Sequence, residues 1–221
     1  MTRGAAYFDL DRTLCKVPAE QAFATHLLRL GVLTGWQMAT VIGRHLLYDF
    51  YLVSNFSDTK RRAIRSLVRG LSVSDMAAAF EDLFRLRLLP AVRPEIVAEI
   101  HDHRRMGRRT VLLTSTLDLI ARPFAREFGM DAYFAVTLEQ AEGRYSGGIE
   151  GNLPHGEEKS RILLADARRH DCDPSDCFAY GDHYSDRFML QSVGHPFAVS
   201  PDRKLRTLAL HRGWPIMPAC P

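Results

Sequence analysis

The chain has 221 residues, 46% hydrophobic and 25% charged. This is ordinary globular usage, and it excludes collagen-like, low-complexity and wholly disordered readings. Of the basic residues, 25 are arginine and 4 lysine, but 26 acids leave a net charge of only +3. Charge therefore gives no reason to expect a nucleic-acid partner. The length fits one domain, or one domain with a large insertion.

The longest uncharged stretch of the apolar N-terminal third, residues 30–43, is bracketed by Arg29 and Arg44. It is shorter than the roughly 20 residues of a membrane span, so no membrane association is expected. Acids at Asp9 and Asp11 interrupt any signal-peptide apolar region, and cytoplasm is the default compartment. Four cysteines do not make a disulfide framework in a chain this long. Cys172, Cys177 and His170 match no common zinc spacing. His101 and His103 would point to different faces of a helix and read as a solvated polar surface.

The first predicted strand is Ala5-Ala6-Tyr7-Phe8, ending in Asp9. Over residues 18–90, apolar residues recur at helical spacing: Phe23, Leu27, Leu28; Met38, Ile42, Leu46, Leu47; Ile64, Leu67, Val68; Met76, Phe80, Leu83, Phe84. Gly31, Gly35, Asn55 and Gly70 divide these into about four helices. Trp36 and Phe50, at helical spacing, read as core. Pro94 suits the first turn of a further helix and Gly107 its end. A short strand over 111–113 is expected to end at Thr114. Residues 119–128 read as a helix that starts late or bends at Pro123. Residues 133–136 form a third strand, and the glycine-rich stretch 143–151 has room for a small hairpin. A helix over 157–170, a strand over 177–180 running into Gly181-Asp182, and a strand over 196–199 complete the chain.

Strands alternating with helices indicate an α/β fold with a parallel sheet covered on both faces. The expected core is built from residues 1–15 and 91–221, with a helical insertion over 16–90. Asp9, Thr114 and Asp182 each lie at or just beyond a strand's carboxyl end, where open parallel sheets bind ligands. Asp11 and Asp186 lie close by in sequence. Clustered carboxylates need a cation, and an all-oxygen set suits Mg²⁺. Lys159, in the first turn of a helix, makes sense if an anion binds there. Metal, lysine and hydroxyl together form a kit for holding a phosphoryl group.

Phe8-Asp9-Leu10-Asp11-Arg12-Thr13-Leu14 resembles the first motif of the haloacid dehalogenase superfamily. Thr114 resembles the second motif, Lys159 the third, and Gly181-Asp182-His183-Tyr184-Ser185-Asp186 the fourth. The insertion after the first motif is similar to the helical cap of the phosphoserine-phosphatase-like branch. The resemblance implies a Rossmann-like core with a cap and Mg²⁺-dependent hydrolysis of a small phosphorylated metabolite. Asp9 would be the nucleophile, forming an aspartyl-phosphate. Asp11 would be general acid, then base. Thr114 and Lys159 would hold phosphoryl oxygens. Asp9, the Asp11 carbonyl and Asp182 would bind Mg²⁺, with Asp186 supporting the metal shell or Lys159. Asp11 separates this chain from the dehalogenases, which lack an acid there.

Substrate choice is less legible. Phosphoserine phosphatases carry a substrate-reading Glu nine residues after the first aspartate; here Pro18 stands there and Glu20 follows two residues later. Arg61 falls where that family reads a substrate carboxylate, and His183 is a further candidate substrate contact. Histidinol phosphate and other small phosphomonoesters remain open. The alternatives are phosphoryl transfer to another hydroxyl acceptor, or a low-turnover phosphate-binding regulatory module. Monomer or homodimer is the default assembly.

Overall fold

The computed structural model describes residues 4–33 and 56–218. The helix expected around Met38, Ile42, Leu46 and Leu47 lies outside the described residues, as do Trp36 and Phe50. Among the described residues, seven strands form one sheet in the order β4-β3-β2-β1-β5-β6-β7. The strands are β1 (Ala5–Phe8), β2 (Arg109–Leu117), β3 (Ala132–Ala141), β4 (Arg144–Glu150), β5 (Phe178–Gly181), β6 (His195–Val199) and β7 (Ile216–Met217). All neighbours run parallel except β3 and β4.

The pleat sorts side chains between two helical layers. Ala6, Phe8, Leu112 and Tyr180 face one layer, made by α1 (Ala19–Arg29), α2 (Phe56–Val68), α3 (Val73–Leu83), α4 (Pro94–Arg105) and α5 (Asp118–Glu127). Ala5, Tyr7, Val111, Leu113 and Ala179 face the other, made by α6 (Glu157–Arg169), α7 (Arg187–Gln191) and α8 (Arg203–Arg212). All four residues of β1 are fully buried, which explains its unbroken apolar reading. The helical stretch beyond α1 shares one continuous apolar cluster with the sheet. It is also tied to the β3–β4 hairpin by backbone bonds from Gly70 to Tyr145 (2.8 Å) and from Val73 to Gly143 (3.0 Å).

The structure corrects several expectations. β2 does not end at Thr114 but runs to Leu117. Its register with β3 shifts: β2 advances from Leu113 to Leu117 while β3 advances only from Phe134 to Val136. This two-residue excess pushes Thr114, Ser115 and Thr116 out of the regular ladder at the rim. The helix through Pro123 starts at Asp118 and continues past the proline. The glycine-rich stretch does form the second arm of a hairpin, turned at Glu142 (φ 50°) and Gly143 (φ 72°). Two successive positive φ values mark the tight turn whose twist matches the strands. β7, two residues long, was not foreseen. His103 is not solvated: it is 3% exposed, although His101 is exposed as expected. Its Nε2 donates to the Tyr180 hydroxyl (2.9 Å), which donates onward to Glu99 (3.0 Å).

No described helix is long and apolar enough to cross a membrane.

Candidate active site

From β1 the chain goes to β2 and β3 on one side; β5 lies on the other side of β1. The strand order therefore reverses beside β1, where α/β sheets open a crevice at the strands' carboxyl ends. Asp9 follows β1 there, and its N–H donates to the Tyr180 carbonyl (3.0 Å), extending the β1–β5 ladder by one residue. Asp182 follows β5 at the same rim.

The segment after Asp9 folds into a tight turn. Arg12 takes a left-handed conformation (φ 60°), and Cys15 N–H donates to the Leu10 carbonyl (2.9 Å). The chain returning from the helical stretch pins this turn, with Lys16 N–H donating to Ala91 (2.9 Å) and Arg93 N–H to Leu14 (2.8 Å). The helical stretch therefore leaves and re-enters the sheet at one place, beside the site.

Lys159 lies in the first turn of α6 and is 3% exposed. Its ammonium donates to Asp9 Oδ1 and to Asp186 Oδ1, both at 2.7 Å. Burial works against its charge, but Asp186 and Asp9 outweigh it and raise its pKa. Asp186 is pulled the other way: burial favours its neutral form, yet Lys159 prevails and holds the carboxyl below its usual range. For Asp182 the pull of Lys159 and Arg12 is not enough. Burial, then the charges of Asp9 and Asp186, push its pKa well above the ordinary value, with the Thr13 hydroxyl only at 3.4 Å. Asp9 is also raised, by burial first and by Asp186, against the pull of Lys159.

Oxygens of Asp9, Asp182 and Asp186 lie within 4.8 Å of one another, and all three residues are buried. Three carboxylates against one ammonium leave an excess of negative charge that water cannot reach. The donor set fits a hard divalent cation such as Mg²⁺, which would remove that excess.

Asp11 stands apart from this trio. Its Oδ1 accepts the Ala19 N–H (2.6 Å), serving as a cap on the first turn of α1, and its Oδ2 accepts the Thr116 hydroxyl (2.7 Å). Burial raises its pKa, and these two bonds oppose the rise. Thr114 is 1% exposed, and its hydroxyl accepts the Thr116 N–H (3.2 Å) within the irregular part of β2. Gly181 is required by close approach: a Cβ there would lie 2.8 Å from that of Asp186.

The two residues expected to meet substrate are placed differently. Arg61 is directed to the Gly151 carbonyl (2.6 Å), an exposed contact on the hairpin. Its neighbour Lys60 is the cation at the site's edge, donating to Glu20 (2.8 Å) and to the Ser115 carbonyl (2.6 Å). Helical spacing held the missed signal: Lys60 shares a face with buried Ile64 and Val68, whereas Arg61 shares one with exposed Arg65. Thr116 was also missed; it repeats Thr114 at strand period. His183 has its Nδ1 at 3.0 Å from the Ser185 hydroxyl and its Nε2 at 3.4 Å from Asp202. His155 was not singled out either. Burial and then Lys159 push its pKa down to about 3, while Asp186 opposes the fall.

The chain is similar to several known proteins. A Mycobacterium tuberculosis phosphoserine phosphatase is 27% identical over 96% of this chain and 70% of its own. A histidinol-phosphatase of Neisseria meningitidis is 24% identical over 97% of this chain and 98% of its own. The crystal structure of a Bordetella pertussis protein of unknown function superposes with a TM-score of 0.86 at 27% identity, covering 98% of both chains. The family model of the haloacid dehalogenase-like hydrolases matches residues 6–191, from β1 through α7 and all four motifs, and the chain belongs to that family.

Proposed function

We propose that the protein is a Mg²⁺-dependent phosphomonoesterase acting on a small phosphorylated metabolite through an aspartyl-phosphate at Asp9. The observation that carries this reading is the buried Lys159 ammonium held at 2.7 Å by both Asp9 and Asp186, with Asp182 beside them. Residues 1–15 and 91–221 would form the core domain, and residues 16–90 a cap over the site.

A carboxylate oxygen of Asp9 attacks phosphorus while the bond to the ester oxygen breaks, and Asp11 gives its proton to the leaving alkoxide. Asp11 suits this role because burial favours its protonated form. Asp11, now ionised, then takes a proton from water, which attacks phosphorus. The acyl-phosphate bond breaks, and inorganic phosphate and the Asp9 carboxylate are released. Thr114 and Lys159 bind the phosphoryl oxygens. Asp9, the Asp11 carbonyl and Asp182 would hold Mg²⁺, with Asp186 behind them. The ion, when bound, supplies charge neutralisation for the transferring group.

The cation of Lys60 and the anion of Glu20 at the site's edge suit a leaving group with both a carboxylate and an ammonium, or a polar amine. Relatives named phosphoserine phosphatase and histidinol-phosphatase support this range.

Asp9→Asn tests the reading. It should abolish Mg²⁺-dependent release of phosphate from an aryl phosphate and from phosphoserine; undiminished hydrolysis would overturn it. Quantitative release as free phosphate in the presence of added alcohols distinguishes hydrolysis from transfer.

A further inference from the structure

The acids of the fourth motif sit on a short loop that has little regular structure to hold it. Only one 3₁₀ turn, over residues 184–186, separates Asp182 from α7. Two buried carboxylates close to each other and to Asp9 repel, so their spacing must be imposed from outside. Resting on the metal-dependent reading above, we infer that His183 and Asp202 form a brace that sets the positions of Asp182 and Asp186 for the cation.

Asp202 stands at the N-terminus of α8, and its Oδ1 accepts the Leu205 N–H (2.7 Å). From this anchor, two hydrogen bonds and one close approach reach the loop. Asp202 N–H donates to the Asp182 carbonyl (2.8 Å), Tyr184 N–H donates to Asp202 Oδ2 (2.8 Å), and His183 Nε2 lies 3.4 Å from the same oxygen. Inside the loop, Ser185 N–H donates to His183 Nδ1 (3.2 Å), and His183 N–H donates to Asp186 Oδ2 (3.2 Å). Because Nδ1 accepts a backbone N–H, the ring proton is assigned to Nε2, the nitrogen that lies beside Asp202. The imidazole thus bridges the 3₁₀ turn and the start of α8. The second oxygen of Asp186 is fixed by the same turn, while its first binds Lys159. His183 is a positioning residue in this account, rather than a substrate contact.

Groups that orient metal ligands from behind govern affinity as strongly as many ligands do. The test is Mg²⁺ titration of the folded full-length protein by calorimetry, with aryl phosphate kinetics alongside. His183→Ala should weaken Mg²⁺ binding roughly tenfold while KM at saturating Mg²⁺ changes by less than about twofold. His183→Asn keeps an acceptor for Ser185, and His183→Gln keeps a donor for Asp202; each should recover part of the affinity. A folded His183→Ala variant with wild-type Mg²⁺ affinity overturns the brace. So does a variant with raised KM and unchanged metal affinity, which would make His183 a substrate contact. If the alanine variant does not fold, the Asn and Gln variants are judged by the same criterion. Mg²⁺ binding without hydrolysis in the wild type would refute the proposed reaction but not the brace; no Mg²⁺ binding would refute both.

Discussion

Lys159→Met removes the one ammonium between Asp9 and Asp186 and leaves two buried carboxylates facing each other. At 2.7 Å the two ion pairs are close, and all three side chains are under a tenth exposed. Removing one partner of a buried pair typically costs about 3–5 kcal/mol, because the remaining charge is stranded. The fold has an escape, which caps the cost: one carboxylate takes up a proton. From the ordinary carboxyl pKa of 3.8, protonation at pH 8 costs about 6 kcal/mol, but at pH 5 only about 2 kcal/mol, at 1.36 kcal/mol per unit. The signs follow from linkage. In the variant the folded-state pKa of the carboxylate is raised above its unfolded value, so the folded state binds the extra proton. Stability therefore falls as pH rises through that interval. The assay is urea denaturation of wild type and variant in metal-free buffer. The expected loss is about 3–5 kcal/mol at pH 8, shrinking to about 2 kcal/mol or less at pH 5. A loss below about 1 kcal/mol at pH 8, or one that grows as pH falls, would refute the reasoning.

Three further predictions concern other parts of the molecule. His103 is enclosed as a neutral ring, with Nδ1 facing Arg108 (3.2 Å), and burial lowers its pKa from 6.5 to about 4. Its folded pKa is depressed, so stability should be lost as pH falls from about 6.5 to about 4, by up to about 3 kcal/mol; His103→Gln should remove that part of the loss in pH-dependent melting. Arg109 makes two 3.0 Å bonds to Asp166, which also accepts from Tyr7 (3.1 Å). Arg109→Met should cost about 3 kcal/mol in denaturant unfolding by stranding Asp166, with KM unchanged because the cluster lies away from the crevice. Lys60→Met should raise KM for phosphoserine at least about tenfold, the effect of losing one charged contact, and affect an aryl phosphate with an uncharged leaving group much less; equal effects on both would remove Lys60 from substrate recognition.

The sequence by itself determined the α/β class, the sites of most strands, and the identity of the acids and lysine at the rim. It could do so because these features are local. A fully buried strand reads as an apolar run, and an acid at the sheet's rim follows such a run directly, as Asp9 and Asp182 do. The family motifs add order along the chain, which no single residue carries. Tertiary structure decided what depends on partners distant in sequence. Asp11 finds Thr116 across 105 positions, and Lys60 finds Glu20 and Ser115, because the helical stretch returns to the sheet beside the site. Periodicity around Ile64 and Val68 hinted that Lys60 turns inward, but a lysine on an apolar face reads as a solvated edge until an anion is seen opposite it. The extension of β2 past Thr114 depends on pairing with β3, and the burial of His103 on the Tyr180 hydroxyl beneath the sheet. Local sequence names the chemistry at the rim; only packing selects which cation meets which carboxylate, since desolvation and charge depend on distances that sequence separation does not encode.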